Sequence, residues 1–131
     1  AGRYEGTVVS MGNPHFVIFT PDVARVGLEA EGPLIERHER FPGRTNVEFA
    51  QVKSPDCLRM RVWERGSGVT QACGTGACAT AVAAIHAGYC GRRTTVEMDG
   101  GPLLIEWRAD DDHVYMTGAA RTVYEGKITT D

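Results

Sequence analysis

From Gly66 to Gly91 the chain carries no Asp, Glu, Lys or Arg, and between Ala77 and Ala87 only Thr80 and His86 are polar. A helix over 74–88 would be apolar on every side, which suits an element enclosed by protein rather than one lying on a surface. Most of its side chains are alanine-sized, so neighbouring strands can approach it closely. Gly88 suits the left-handed residue that ends such a helix. At about 1.5 Å per residue the element would be roughly 20 Å long. The uncharged stretch is long enough to cross a bilayer, but it holds six glycines and its only large aliphatics are Val69, Val82 and Ile85. It reads as buried core and not as a membrane span.

The rest of the chain has to supply the enclosure. Residues 7–11 and 15–19 have strand character and are joined by Gly12, Asn13 and Pro14, which is turn chemistry. A helix is expected over 33–40, with Pro33 in its first turn. Residues 45–53 alternate, with Val47, Phe49 and Val52 as inward positions. Residues 57–64 alternate more cleanly, with Leu58, Met60 and Val62 on one face and Arg59 and Arg61 on the other. Further strands are expected at 93–98, 103–108, 113–117 and 120–125, and with no helix between them they should pair antiparallel. The expected fold class is α+β: an antiparallel-rich mixed sheet wrapped around one central buried helix, in a single domain over residues 1–131.

With 131 residues, 42% hydrophobic and 24% charged, the chain can bury its own core without staples. A net charge of −3 argues against a nucleic-acid or anionic-membrane surface. The cysteines Cys57, Cys73, Cys78 and Cys90 form no CxxC pair and the histidines no HxxxH pair, so no metal site is expected. The start AGRYEGTVV has no apolar signal core, so reduced thiols and a cytoplasmic location are expected. It also lacks an initiator Met, which suggests a truncated or processed chain.

The chemistry concentrates in Glu64–Ala79, ERGSGVTQACGTGACA. Cys73 stands at the mouth of the expected buried helix, where the amides of Thr75, Gly76 and Ala77 have no intrahelical acceptor. Those N–H groups and the helix dipole favour an anion, and glycines at 74 and 76 let a ligand reach the backbone. The same positive end should lower the thiol's pKa. Cys73 as a small buried hydrophobe is the competing reading. Gly74–Ala79 also fits a G-x-G-x-x-A dinucleotide fingerprint with Asp99 downstream, although the preceding strand ends too early for the tight turn that motif needs. A cysteine hydrolase using Cys73 with His15 or His86 is chemically sensible, but nothing in the sequence fixes the pairing. Alone, Asn13 reads as a turn residue, His15 as a core histidine and Glu64-Arg65 as a solvated pair. Asn46 is unusual at a strand start.

Taken together, Met11-Gly12-Asn13-Pro14-His15-Phe16-Val17, Arg44-Thr45-Asn46-Val47-Glu48-Phe49, Arg61-Val62-Trp63-Glu64-Arg65-Gly66 and Ala72-Cys73-Gly74-Thr75-Gly76-Ala77-Cys78-Ala79 resemble the C-terminal half of diaminopimelate epimerases. The resemblance covers essentially the whole chain, to Thr117-Gly118 and Glu125-Gly126. Cys-Gly-Thr-Gly alone would also suit proline racemases, whereas Asn-Val-Glu-Phe with Glu-Arg-Gly points to the epimerases.

The resemblance implies a cofactor-independent epimerase of two similar halves, with the substrate between them and one cysteine from each half working as base or acid. It implies Cys73 as this half's catalytic cysteine, with Gly74 and Thr75 offering amides to the carboxylate at the reacting centre. Asn13, Asn46 and Arg65 would hold the distal carboxylate, Glu64 would meet an amino group, and His15 would flank the reacting centre. The expected partners are the small-molecule substrate and the missing N-terminal half; a homodimer stays open, as does a non-catalytic binding domain of the same fold. Two departures stand out. None of Cys57, Cys78 and Cys90 has the helix N-terminal motif of the partner cysteine, and Ala119 replaces the proline frequent after Thr-Gly in the family.

Overall fold

The computed structural model describes residues 3–131. The strands are β1 (Thr7–Ser10), β2 (Pro14–Phe19), β3 (Asn46–Ser54), β4 (Cys57–Glu64), β5 (Gly68–Thr70), β6 (Arg93–Met98), β7 (Gly101–Trp107) and β8 (Val114–Thr117). The helices are α1 (Leu28–Glu36) and α2 (Gly74–Ala87), with one 3-10 turn at Val23–Arg25. All strands belong to one sheet in the order β1-β2-β3-β4-β6-β7-β8, with β5 paired to β4. The class is mixed α+β with a curled sheet. Pairing is antiparallel except between β2 and β3 and between β4 and β6. Those two parallel pairs require crossovers, which α1 and α2 respectively provide.

Helix α2 touches every strand except β5. Ala77, Ala81 and Ala84 pack with Leu58, Met60, Val62, Val96 and Ile105, while Ala79 and Ala83 pack with Val9, Val17 and Ala50. All five alanines are fully buried. Apolar contacts on several sides of one helix are what the absence of an amphipathic stripe anticipates. Cys73 caps its start and Gly88 ends it at φ 80°, the left-handed conformation that glycine adopts without strain. Because these positions hold only a methyl group, Ala81→Leu is expected to destabilise the chain by roughly 1–3 kcal/mol through overpacking. Urea unfolding followed by circular dichroism measures it, and an unchanged midpoint would mean that the seam has slack.

Helix α1 packs on the other sheet face, over Val47, Phe49 and Trp63. It starts at Leu28, five residues before the expected position, and Pro33 lies inside it. Pro33 is therefore an interior residue of the helix and not part of its first turn. Glu29 and Glu31 occupy the first turn, and Glu31 Oε2 accepts from the Gly27 N–H at 3.0 Å, so the N-terminus is satisfied without a proline there. Gly32 matters for contact: a Cβ there would lie 2.4 Å from Trp63 Cγ.

Other expectations need correction. Val52 is 39% exposed: three residues beyond Phe49, it lies by strict alternation on the opposite face from Val47 and Phe49, near the end of β3, and pairs with Leu58 just before a bulge between Val52 and Ser54. β5 and the Val23–Arg25 turn were not anticipated; both are three residues long, too short to leave a period in the sequence. The strand expected at 120–125 does not form: residues 118–131 have no regular structure and are exposed, with no described strand pairing beyond β8.

Candidate active site

Cys73 sits where β5 gives way to α2 and is the helix N-cap: its Sγ accepts the Gly76 N–H at 3.3 Å. The first-turn amides of Gly74 and Thr75 lack helical acceptors by geometry. Sγ also lies 3.7 Å from Thr75 Oγ1. Thr75 Oγ1 accepts from Asn13 Nδ2 at 3.3 Å, and Asn13 Oδ1 lies 3.1 Å from His15 Nε2. His15 Nδ1 lies 2.5 Å from Glu48 Oε1, with both side chains fully buried. A continuous polar chain therefore runs from the sulfur through Thr75, Asn13 and His15 to Glu48. The elements fix this arrangement: the β1–β2 turn presents Asn13, β2 presents His15, and β3 carries Glu48 on the same face as Ala50, beneath α2.

A second group borders the first. Asn46 donates from Nδ2 to Pro14 O at 2.9 Å and accepts the Arg65 backbone N–H on Oδ1 at 2.8 Å. It clamps the turn after β4 to the start of β2. That turn is further held by buried Glu36, which accepts from Trp63 Nε1 at 2.9 Å and from the Gly66 N–H at 3.2 Å. Arg65 itself is exposed and spends one donor on Gly43 O, at 3.1 Å. Arg44, next to that carbonyl, is held at φ 62°, a conformation uncommon for a non-glycine residue. Glu64 accepts from Thr70 Oγ1 at 2.7 Å.

The sequence-derived candidates thus fall into two adjoining groups, Cys73–Thr75–Asn13–His15 and Asn46–Arg65, with Glu64 beside Arg65. Glu48, Glu36 and Thr70 had no assigned role. The sequence carries no signal for Glu48: with Val47 and Phe49 read as inward, alternation puts it on the outer face, and only the packing of α2 on that face buries it and demands a partner. The purpose expected of Gly76 also changes. A Cβ there would lie 3.0 Å from Glu48 Oε1 and 3.1 Å from Cys73 Sγ, so Gly76 makes room for a buried carboxyl and the sulfur. At Gly74 a Cβ would meet the Met116 side chain at 3.3 Å.

The electrostatics run against one expectation. Burial pushes the Cys73 thiol above its ordinary pKa; the Gly76 amide and the Thr75 hydroxyl pull it down, and Glu64 and Glu48 push it up again. The half-buried sulfur loses more hydration than that one N–H and one hydroxyl return. In this chain iodoacetamide labelling of Cys73, followed against pH by peptide mass, is expected to set in above the free-thiol value of about 8.5. A midpoint below that value would show the helix dipole outweighing burial. Burial likewise pushes up Cys57, Cys78 and Cys90, and all four cysteines are free.

No histidine hydrogen-bonds to Cys73 among the described residues: His15 faces Asn13 and Glu48, and His86 lies in the last turn of α2. That removes the Cys–His pairing a hydrolase requires. The dinucleotide reading fails too, since Gly76 is closed off by Glu48 and the sheet is not doubly wound. Among the described residues no three His, Cys, Asp or Glu side chains gather as a metal-ligand set, and no helix is long and apolar enough to cross a membrane.

Comparison with solved structures finds the same fold in a Bacillus anthracis phenazine biosynthesis protein of the PhzF family (TM-score 0.58, 20% identity, 86% of this chain and 38% of that one). A Clostridium difficile PhzC/PhzF protein is similar to it as well (TM-score 0.55, 16% identity, 81% and 40%). Among curated proteins, the diaminopimelate epimerase of Parabacteroides distasonis is 62% identical over 125 residues, covering 95% of this chain and 46% of that protein. That of Phocaeicola vulgatus is 60% identical over 126 residues (96% and 45%), and that of Methanococcus maripaludis 54% over 125 (95% and 45%). The chain spans a little under half the length of these relatives. The sequence model of the family described as diaminopimelate epimerase matches residues 7–123, and the chain accordingly belongs to the diaminopimelate epimerase family.

Proposed function

We propose that this chain forms the C-terminal half of an enzyme that interconverts LL- and meso-diaminopimelate without a cofactor, with Cys73 as its acid–base group. The observation that carries the proposal is the position of Cys73: a half-buried sulfur capping a buried helix, beside the Gly74 and Thr75 amides, which have no acceptor within the helix. An amino-acid α-proton is a very weak acid, and removing it without an electron sink requires oriented dipoles around the carboxylate in a dry site. The first turn of α2 presents such dipoles next to the thiol.

The Cys73 thiolate takes the α-proton, and the electron pair left on carbon spreads into the carboxylate held by the Gly74 and Thr75 amides. A second acid on the opposite face, supplied by chain outside these residues, returns a proton to complete inversion. In the reverse direction the Cys73 thiol is the donor. Arg65 carries the distal carboxylate, with Asn13 assisting through its remaining N–H and Asn46 holding the backbone from which Arg65 projects. Glu64 receives an ammonium group, and His15 orders the site from beneath it.

The homologues' names support the substrate assignment. The substrate, the absent half and the cytoplasmic setting of lysine and cell-wall precursor synthesis are part of the same proposal. It is tested by following α-proton exchange into LL-diaminopimelate in deuterium oxide with the full-length protein. Inversion with one deuterium incorporated is expected; a protein that leaves the substrate untouched would refute it.

A further inference from the structure

We infer that Glu48 is a positioning residue for the Cys73 site: by holding His15 with a proton on Nε2, it sets the direction of the hydrogen-bond chain that ends at the Cys73 sulfur. The inference rests on the epimerase reading for its catalytic consequence, but its structural content stands on this chain's own atoms.

The direction follows from donor and acceptor bookkeeping. Asn13 Nδ2 faces Thr75 Oγ1 and can only donate to it, at 3.3 Å. Asn13 therefore turns Oδ1, which can only accept, toward His15 Nε2 at 3.1 Å. Nε2 must then carry hydrogen. Thr75 Oγ1, already accepting from Asn13, is left free to donate its own hydrogen toward Cys73 Sγ, 3.7 Å away. The sulfur thus faces two donors, this hydroxyl and the Gly76 N–H.

The other ring nitrogen is where Glu48 acts. Glu48 Oε1 lies 2.5 Å from His15 Nδ1, and among the described residues its Oε2 is buried without a partner. A bare carboxylate with one orphaned buried oxygen is costly, so the pair keeps a proton between Oε1 and Nδ1. Burial raises the Glu48 pKa in the same sense. With a hydrogen on Nε2 demanded by Asn13 Oδ1, that shared proton makes the pair net neutral, either carboxylic acid to neutral ring or imidazolium to carboxylate; the other arrangement, Nδ1–H donating to an ionised Glu48, would leave Nε2 bare against Asn13 Oδ1 and Glu48 Oε2 charged without a partner. Without Glu48 the ring is free to place its single proton on Nδ1. Nε2 would then be an acceptor facing an acceptor, the Asn13 amide would flip, and the Thr75 hydroxyl would turn to Asn13 Oδ1 and away from the sulfur. The missing Cβ of Gly76 is what admits the carboxyl beneath the first turn of α2.

The test uses the full-length protein with Glu48→Gln and Glu48→Leu. A Gln amide can donate to Nδ1 and so preserves the Nε2–H tautomer, whereas Leu cannot. Long-range proton–nitrogen spectra of the histidine rings should show a protonated Nε2 at His15 in the wild type and in Glu48→Gln, and a shift toward the Nδ1–H tautomer in Glu48→Leu. With diaminopimelate, Glu48→Leu is expected to lower kcat roughly ten- to a hundredfold, the worth of one hydrogen bond to a charged group, and Glu48→Gln to recover most of that loss. A wild-type His15 protonated on Nδ1 and bare on Nε2 would overturn the inference, even if Glu48→Leu fails to fold. So would equal losses in Gln and Leu, since the carboxyl charge would then be what matters. The spectra need no turnover, so a failed epimerase assignment and a failed role for Glu48 give different results.

Discussion

In the full-length protein, Cys73→Ala is expected to lower kcat/KM for diaminopimelate by about a thousandfold or more. A positioned acid–base group contributes roughly 10²- to 10⁴-fold, and in the proposed mechanism the same side chain serves as base in one direction and acid in the other. Alanine also removes the cap that accepts the Gly76 N–H, a stability cost of about 1 kcal/mol. That cost is small beside the kinetic loss, and the fold should survive it, because α2 is held by its alanine contacts on several sides. Steady-state kinetics together with a urea melt separate the two effects. A variant retaining a tenth of the wild-type kcat/KM would exclude Cys73 as the acid–base group, whatever its stability.

Arg65→Lys should cost roughly ten- to a hundredfold in kcat/KM, far more than a charge-conserving change on a surface. The backbone under Arg65 is unusually well held: Asn46 Oδ1 takes its N–H, and Glu36 Oε2 takes that of Gly66. One guanidinium donor goes to Gly43 O, which leaves the planar fork available for two parallel bonds to a carboxylate. Lys offers a single compact charge and cannot reproduce the fork. In the proposed mechanism the distal carboxylate is remote from the reacting carbon, so its binding energy would serve to place that carbon against the sulfur. Losing one charge-assisted bond costs about 1.5–3 kcal/mol. If Arg65 were only a solvated neighbour of Glu64, the swap would cost under about 1 kcal/mol, and near-wild-type kinetics would remove it from the site.

How far the sequence reveals this site depends on the scale of the signal. The uncharged, small-residue run marks α2 because burial on several sides excludes polar side chains, and Cys73 and Gly88 mark its ends. Leu58, Met60 and Val62 show the inward face of β4 because strand periodicity is local. Strand partnership is not local: nothing in 14–19 or 46–54 states that β2 and β3 run parallel, nor in 57–64 and 93–98 that β4 and β6 do. Helix α1 is expected too late because Pro33 looks like a beginning, whereas the turn before it is braced by Glu31, whose carboxylate accepts the Gly27 N–H. At the site, Asn13, His15 and Thr75 are named from a resemblance, yet they join into one polar chain that ends on Glu48, whose place appears only when β3 is laid beneath α2. The thiol's pKa direction was likewise out of reach, since hydration lost by burial is a property of the packed structure.

The proposed dependence of inversion on a second half is tested most directly with the 131-residue chain by itself. Incubated with LL-diaminopimelate in deuterium oxide, it is expected to form no meso epimer, because a thiolate on one face can at most remove and return a proton on that face. Slow deuterium uptake with retention of configuration fits Cys73 acting alone, whereas the full-length protein should incorporate deuterium with inversion. Formation of meso-diaminopimelate by the isolated chain at a rate near that of the full-length protein would contradict the two-sided mechanism.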